Sequence, residues 1–404
     1  MRGDKVGKTQ SVIGSGSMRI TLVTSTISGG GAEGVLSRMA NYWAERAHEV
    51  TLITVGSAKD DVFPLHPGVR RIGLGLMGHS PHVGAAWWNN FRRLKRLRQA
   101  IKVSHQGVVL SFIDKTNVLT LAASLGLGIP VIVSERNDPR HHNIGAVWTR
   151  IRRLLYPQAT AVVVQTDGAR IWAERFLKSH MVHVIPNAVS VPDVVRNGRT
   201  EIKPPGWRIA AMGRLEPQKG YDILLKAFAQ CARKHSDWSL IILGEGRERK
   251  RLETLAVELG IADRVSMPGR MLEPWRTLCR ADLFVLSSNY EGFPNVLMEA
   301  MACGLAAIST DCPSGPREII RDGVDGLLVP PNDVAALAGA MDRLMADPTE
   351  RQRLGARAPE VAERFSRDKI MNLWDELVSR ILRDEPIMRP VRFCAKDYQP
   401  ETTP

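Results

Sequence analysis

The stretch "DLFVLSSNYEGFPNVLMEAMACGLAAIST", Asp282 to Thr310, holds a complete strand, loop, helix and strand. An apolar run ends at Ser288, a loop carries Glu291, Gly292 and Phe293, and Pro294 favours a helix start at Asn295. Gly304 suits the position just past the helix end, and a second apolar run, Leu305 to Thr310, follows at once. Strands of continuous apolar character linked by helices are the pattern of a parallel sheet covered on both faces.

The same alternation extends along the chain. "RITLVTS", "EVTLITV", "GVVLSFI", "PVIVSE", "AVVVQT" and "VHVIPN" lead a first cycle, and "WRIAAMG", "WSLIILG", "DRVSMPG", "DLFVLSS", "LAAIST" and "DGLLVP" a second. Between them lies "IPNAVSVPDVVRNGRTEIKPPGW", whose prolines and polar residues resist regular structure. The expectation is an α/β chain of two doubly wound, Rossmann-like domains facing across a cleft, over residues 18–190 and 191–357. Residues 1–17 read as a polar, disordered lead-in with Met18 a candidate start, 358–384 as a helix packing back toward the first domain, and 385–404 as an irregular tail.

Composition narrows the function. A chain of 404 residues is long for one core, and 44% hydrophobic with 24% charged content is ordinary for globular protein. The longest apolar runs are too short to span a bilayer, and the first residues lack the apolar centre of a secretion signal. Cys231, Cys279, Cys303, Cys312 and Cys394 form no C-x-x-C pair, which argues against a disulfide framework or structural zinc and for a reducing cytoplasm. The net charge of +13 suits nucleic acid, an anionic membrane or phosphorylated substrates. No nucleic-acid-binding signature accompanies the basic clusters at Arg92–Arg98 and Arg150–Arg153, so nucleic acid is not expected as a partner.

Two carboxylates, Glu291 and Glu299, flank the start of the Asn295 helix. Backbone N–H groups at Asn295, Val296 and Leu297 suit a diphosphate, and the carboxylates suit sugar hydroxyls on either side of it. The segment "EGFPNVLMEAMACG", together with "GRLEPQKGYDILLKAF" at 213–228, resembles the retaining glycosyltransferases of the fourth family, which have the GT-B fold. The resemblance implies that Arg214 and Lys219 bind the donor diphosphate and stabilise the departing charge, that Glu299 holds the donor ribose and that Glu291 faces the transferred sugar. It also places Gly213, Gly244, Gly292, Phe293 and Pro294 beside the donor, and Arg270 and Met271 of "VSMPGR" near its base. The implied chemistry needs no metal and no cofactor beyond the nucleotide-sugar itself. His141 and His142 are adjacent and have no carboxylate at ligand spacing, so no metal site is expected there.

"ISGGGAEG", Ile27 to Gly34, carries Gly29, Gly31 and Gly34 in G-x-G-x-x-G spacing, which alone would suit an NAD-dependent oxidoreductase. That reading requires an acid at the end of the second strand, and "EVTLITVGSAKDD" ends in Val55, Gly56 and Ser57. The resemblance instead implies that amides of Gly30 and Gly31 face the donor phosphate or sugar, with Glu33 at the helix start. A non-catalytic basic adaptor is the other alternative.

On the acceptor side, "WWNNFRRLKRLRQAI" at 87–101 puts Trp87, Phe91, Leu94, Leu97 and Ile101 on one helical arc, with Arg92, Arg93 and Arg96 opposite. Such a helix suits either a membrane interface bearing a lipid diphosphate or packing on its own domain. It and "LSFIDKTNVLTLAASLGLGIPVIVSERNDPR" resemble the branch extending polyprenyl-diphosphate-linked glycans, which includes N-acetylgalactosaminyltransferases. Many members of the wider family place a histidine where this chain has Ser134 to Asp138, a departure that leaves the catalytic residue of the first domain open; Asp114, Glu135 and Arg136, at strand ends, stand as acceptor contacts or catalysts, with a loop or cap role the alternative for each. The whole implies transfer of an N-acetylhexosamine or hexose from a UDP-linked donor to a polyprenyl-diphosphate-linked glycan, with retention, at the inner face of the cell membrane.

Overall fold

The computed structural model describes residues 16–78, 83–104, 107–189, 206–271, 273–385 and 390–393; the side chains of 83–87 are outside that description. Most of the lead-in, most of the Pro-rich linker, most of the tail and the place of the Trp87 side chain therefore lie outside the described residues.

Among the described residues seven strands form the first sheet: β1 (Arg19–Thr24), β2 (Glu49–Thr54), β3 (Val69–Gly73), β4 (Val108–Phe112), β5 (Val131–Ser134), β6 (Ala161–Val164) and β7 (Val182–Val184). Their order is β3-β2-β1-β4-β5-β6-β7, with every pairing parallel. Six form the second: β8 (Trp207–Met212), β9 (Trp238–Leu243), β10 (Val265–Gly269), β11 (Leu283–Leu286), β12 (Ala306–Thr310) and β13 (Leu327–Val329). These run in the order β10-β9-β8-β11-β12-β13, again all parallel. The central strands are buried along their length, as β4 and β11 show, which is why the sequence shows apolar runs there.

Strand order reverses between β1 and β4 in one sheet and between β8 and β11 in the other. Chain ends that diverge at such a switch point leave a crevice beyond the carboxyl ends of the strands. The glycine loop and Asp114 sit at the first switch point, and the Gly213–Lys219 loop and the Glu291 loop at the second.

The segment read as one helix over 358–384 is broken. Short turns cover Ala358–Glu360 and Val361–Arg364, and a new helix, Arg367–Leu382, starts with the Ser366 hydroxyl accepting from the Lys369 N–H. This last helix packs on the first domain. Its buried Asp375 accepts from the indole N–H of Trp43 at 2.6 Å, and Trp374 lies 6.3 Å from Phe112, ring centre to ring centre. The tail is not wholly irregular: Val391 and Phe393 exchange backbone bonds with Val184 at 3.0 Å, extending the sheet past β7.

Candidate active site

On the second domain, the Lys219 ammonium lies 2.5 Å from Glu291 Oε1, and the Ser288 hydroxyl donates to the same oxygen at 2.6 Å. Both ions are nearly enclosed, so their attraction is little screened. The loop holding Lys219 is pinned against the end of β11. Gly220 adopts φ +59°, and a Cβ there would stand 2.3 Å from the Ser287 carbonyl, so glycine is required. Arg214 is exposed and, among the described residues, engaged by no side-chain hydrogen bond or ion pair, leaving its charge for an incoming anion.

The helix Asn295–Ala302 begins at Pro294 without a side-chain cap. Its first amides, of Asn295 and Val296, have no partner in the helix itself. The other residues expected at the donor divide. The Leu297 N–H closes onto the Pro294 carbonyl at 3.1 Å and its side chain is fully buried, while Phe293 is buried edge-on to Phe365 at 5.5 Å. Both build the core under the helix, and Val296 packs against the same core. Gly213 and Gly244 are bare for protein contacts, where a ligand was expected to approach: a Cβ on Gly244 would lie 1.9 Å from the Gly213 carbonyl, and one on Gly213 2.9 Å from the Lys219 side chain and the Tyr221 hydroxyl. Gly292 likewise passes against the Arg136 carbonyl of the other domain, 2.4 Å from a would-be Cβ. Met271 is exposed, its sulfur accepting from the Thr277 hydroxyl at 3.4 Å.

Glu299 is half-buried on this helix, and burial holds its carboxyl above the usual carboxylate range, opposed by the charge of Arg38. Arg38 belongs to the first-domain helix Gly31–Glu45, so the two opposite charges act on one another across the domain seam. The sequence reading missed Arg38, since nothing local marks that face of the helix as the one turned to the second domain.

The glycine loop corrects an expectation. The Glu33 carboxylate accepts from the N–H groups of Gly29 at 2.9 Å and Gly30 at 3.1 Å and from the Thr26 hydroxyl at 2.5 Å. The Gly30 amide expected to face the donor is thus already bonded; the spacing of Glu33 three residues after Gly30, a capping-box pattern, was the available signal. Gly31 instead meets the second domain through its carbonyl, which accepts from the Asn295 side chain at 3.4 Å. Arg270, read as a base contact, donates to the carbonyls of Ser28 and Gly29.

The acceptor-side candidates also part ways. Arg136 is buried, donating to Asn187, which in turn donates to the Asn295 carbonyl oxygen of the side chain at 2.6 Å. Asp114 is buried at the end of β4. Desolvation acts to raise its pKa, but the His142 ring at 3.3 Å and the Lys115 N–H at 2.6 Å outweigh it and hold the carboxyl below its usual range. Glu135 is closed off: the Tyr156 hydroxyl donates at 2.5 Å, Arg152 stands 3.3 Å away, and burial pushes its pKa up. It is a core carboxylate of the first domain, not an acceptor contact. The histidines do have carboxylates near them, His141 with Asp138 at 3.0 Å and His142 with Asp114, contrary to the expectation from spacing. Among the described residues no group of three or more potential ligands gathers around them.

On the helix Val83–Val103, Leu97 and Ile101 are buried, whereas Trp88 and Phe91 are 62% and 57% exposed and stack at 6.1 Å. The apolar arc is thus divided, its Leu97 and Ile101 end packed on the domain and Phe91 left outside that packing. Arg92 and Arg96 are exposed, but Arg93 is spent on the carbonyls of Leu76 and Gly78, at 3.0 and 3.3 Å.

The dehydrogenase reading fails on geometry as well. No acid ends β2; the nearest, Asp60 and Asp61, follow a turn, and Asp61 is tied to Arg71 at 2.7 Å.

Comparison with known proteins agrees. Residues 30–188 match the family model of a glycosyl transferase 4-like domain, and residues 198–361 that of glycosyl transferases group 1. A Campylobacter jejuni α-1,4-N-acetyl-D-galactosaminyltransferase named for a diphospho-undecaprenol-linked GalNAc substrate is 29% identical over 90% of this chain and 99% of its own. An exopolysaccharide phosphotransferase of Streptomyces coelicolor is 39% identical over 57% of this chain, which spans 24% of that relative's length. Among solved structures, sucrose-phosphate synthase of Thermosynechococcus elongatus superposes with a TM-score of 0.78 at 19% identity, covering 91% of this chain and 100% of its own, which shows the fold. With one family model on each domain and the switch-point site between them, the chain belongs to the group 1, 4-like glycosyltransferases and is an enzyme of the GT-B fold.

Proposed function

We propose that the enzyme moves an N-acetylhexosamine or hexose from a UDP-linked donor to a polyprenyl-diphosphate-linked glycan, with retention of configuration, as a peripheral protein on the inner face of the cell membrane. The observation that carries the donor half is the enclosed Lys219–Glu291 pair beside the uncapped Asn295 helix and the unengaged Arg214. As the sugar leaves, negative charge gathers on the diphosphate, and these fixed cations and amides favour that state over the bound ground state. This arrangement does the electrostatic work a metal ion does elsewhere, so the proposal needs none.

Glu291 is held by Lys219 and Ser288, and Glu299 faces Arg38, which leaves neither poised as a covalent nucleophile. Retention then follows from attack by the acceptor hydroxyl on the face the diphosphate leaves, with the hydroxyl proton passing to the departing phosphate oxygen.

The acceptor half rests on the Campylobacter relative's name and on the exposed Trp88, Phe91, Arg92, Lys95 and Arg96, an aromatic and basic patch suited to an anionic membrane surface. No described helix is long and apolar enough to cross a membrane, so attachment is assigned to this patch. The test is a panel of UDP-, GDP- and ADP-sugars with a polyprenyl-diphosphate-linked acceptor, with product anomers read by NMR. Inverted product, or turnover with GDP- or ADP-sugars alone, sinks the corresponding part.

A further inference from the structure

Arg136 is 7% exposed, yet every partner it has among the described residues is neutral. Its guanidinium donates to the Ser134 hydroxyl at 3.3 Å and to the Asn187 side chain, lies 4.2 Å over the Phe112 ring, and leaves Nε with no partner. Enclosing a cation costs several kcal/mol unless an opposite charge comes with it. Burial, joined by the charge of Arg38, pushes the Arg136 pKa down to about 9.

The fold therefore gathers two cations on one side of the seam. Arg38 feels the opposite charge of Glu299, but among the described residues no carboxylate pairs with Arg136. Through Asn187, Arg136 is wired to Asn295, whose side chain also reaches the Gly31 carbonyl at 3.4 Å. The missing counter-charge thus falls beside the helix start whose amides of Asn295 and Val296 are unpaired in the helix.

We propose that Arg136 and Arg38 form the first-domain half of an anion site, which receives a phosphate of a substrate diphosphate opposite the start of the Asn295 helix. Two planar guanidinium forks and helix amides match a multi-oxygen anion better than a single hydroxyl. The diphosphate comes from the nucleotide-sugar or from the lipid-linked acceptor, and the inference rests on the proposed function for those sources. Arg136 acts here as a cation and, through Asn187, as a positioning residue for Asn295.

The full-length enzyme and its R38Q, R136K and R136Q variants are compared for UDP and inorganic pyrophosphate binding by calorimetry, for acceptor KM and for Tm. Weakening of UDP and pyrophosphate binding by about tenfold or more in R38Q and R136K, with Tm kept, assigns the site to the donor. A similar rise in acceptor KM with UDP binding unchanged assigns it to the acceptor. If R136Q does not fold, R38Q and R136K still decide. Both variants staying within about twofold of wild type in all three quantities overturns the proposal. Arg38-dependent pyrophosphate binding in an enzyme that turns over no UDP-sugar keeps this site and sinks the donor reading instead.

Discussion

The guanidinium of Arg270 spans the cleft to donate to the Gly29 carbonyl at 2.9 Å. Arg270 lies just past the end of β10 in the second domain and Gly29 in the loop after β1 in the first, so this bond reports the domains' approach. Gly29 has φ +121°, and a Cβ placed there would stand 1.2 Å from the Arg270 Nη2 atom.

Gly29→Ala is therefore expected to expel Arg270 and strain the loop, at a cost of roughly 1–3 kcal/mol. Gly30 has φ −81°, and its would-be Cβ meets nothing closer than 3.4 Å, so Gly30→Ala should behave as wild type. Thermal unfolding and donor kcat/KM measure both. Equal damage from the two substitutions would restore a donor-facing role to the Gly30 backbone.

Lys219 and Glu291 should be mutually dependent. Lys219→Met strands an enclosed carboxylate and Glu291→Gln an enclosed ammonium, and either should lower kcat by about 10²–10³ through lost charge stabilisation. A double-mutant cycle on Tm-derived stability checks the pairing, with coupling of roughly 1–3 kcal/mol expected between the sites. Additive losses would mean that the 2.5 Å contact contributes nothing to the folded state.

Much of this was legible in the sequence because it is local. Strands buried on both faces advertise themselves as apolar runs, and Glu291, Pro294, Asn295 and Glu299 lie on one loop and the helix it enters. The edge strand β3, "VRRIG", carries two arginines and escaped that pattern, as did the pairing of Val391 and Phe393 with β7. What the sequence could not show are relationships between domains. Arg38 faces Glu299, Arg136 reaches Asn295 through Asn187, and Arg270 rests on Gly29, all across a seam whose register depends on the packing of the whole chain. Glu135 was misread on different grounds: its strand-end position resembles that of Asp114, while Tyr156 and Arg152, distant in sequence but in the same domain, enclose it.

The helix Val83–Val103 separates two kinds of arginine. Changing Trp88, Phe91, Arg92 and Arg96 together to Ser should weaken recovery on anionic vesicles, with about 1 kcal/mol lost per cation near the surface. Arg93→Ser should leave vesicle recovery nearly unchanged and lower Tm, because Arg93 holds the Leu76 and Gly78 carbonyls. Sedimentation with vesicles of phosphatidylglycerol and phosphatidylcholine distinguishes them, and unaltered recovery of the quadruple variant would remove the membrane role from this face.

His183, fully buried in β7, gives the tail attachment a pH dependence. Its Nδ1 accepts from the Val391 N–H at 2.9 Å, so that nitrogen carries no proton, and Nε2 has no acceptor for a charge to use. Burial, with Arg380 and His180 adding repulsion, pushes the ring's pKa down from 6.5 to about 4. Below pH 6.5 the unfolded chain binds a proton that the folded ring refuses until about pH 4. The contribution is thus fully present above the unfolded value and lost as pH falls toward the folded one, at roughly 1.4 kcal/mol per pH unit. Urea unfolding across that window should show this slope in wild type beyond the slope of His183→Gln, whose amide oxygen can still accept from Val391. Carboxylates titrate in both proteins and cancel in the difference. Identical slopes would show that His183 titrates normally and that Val391 does not hold it neutral.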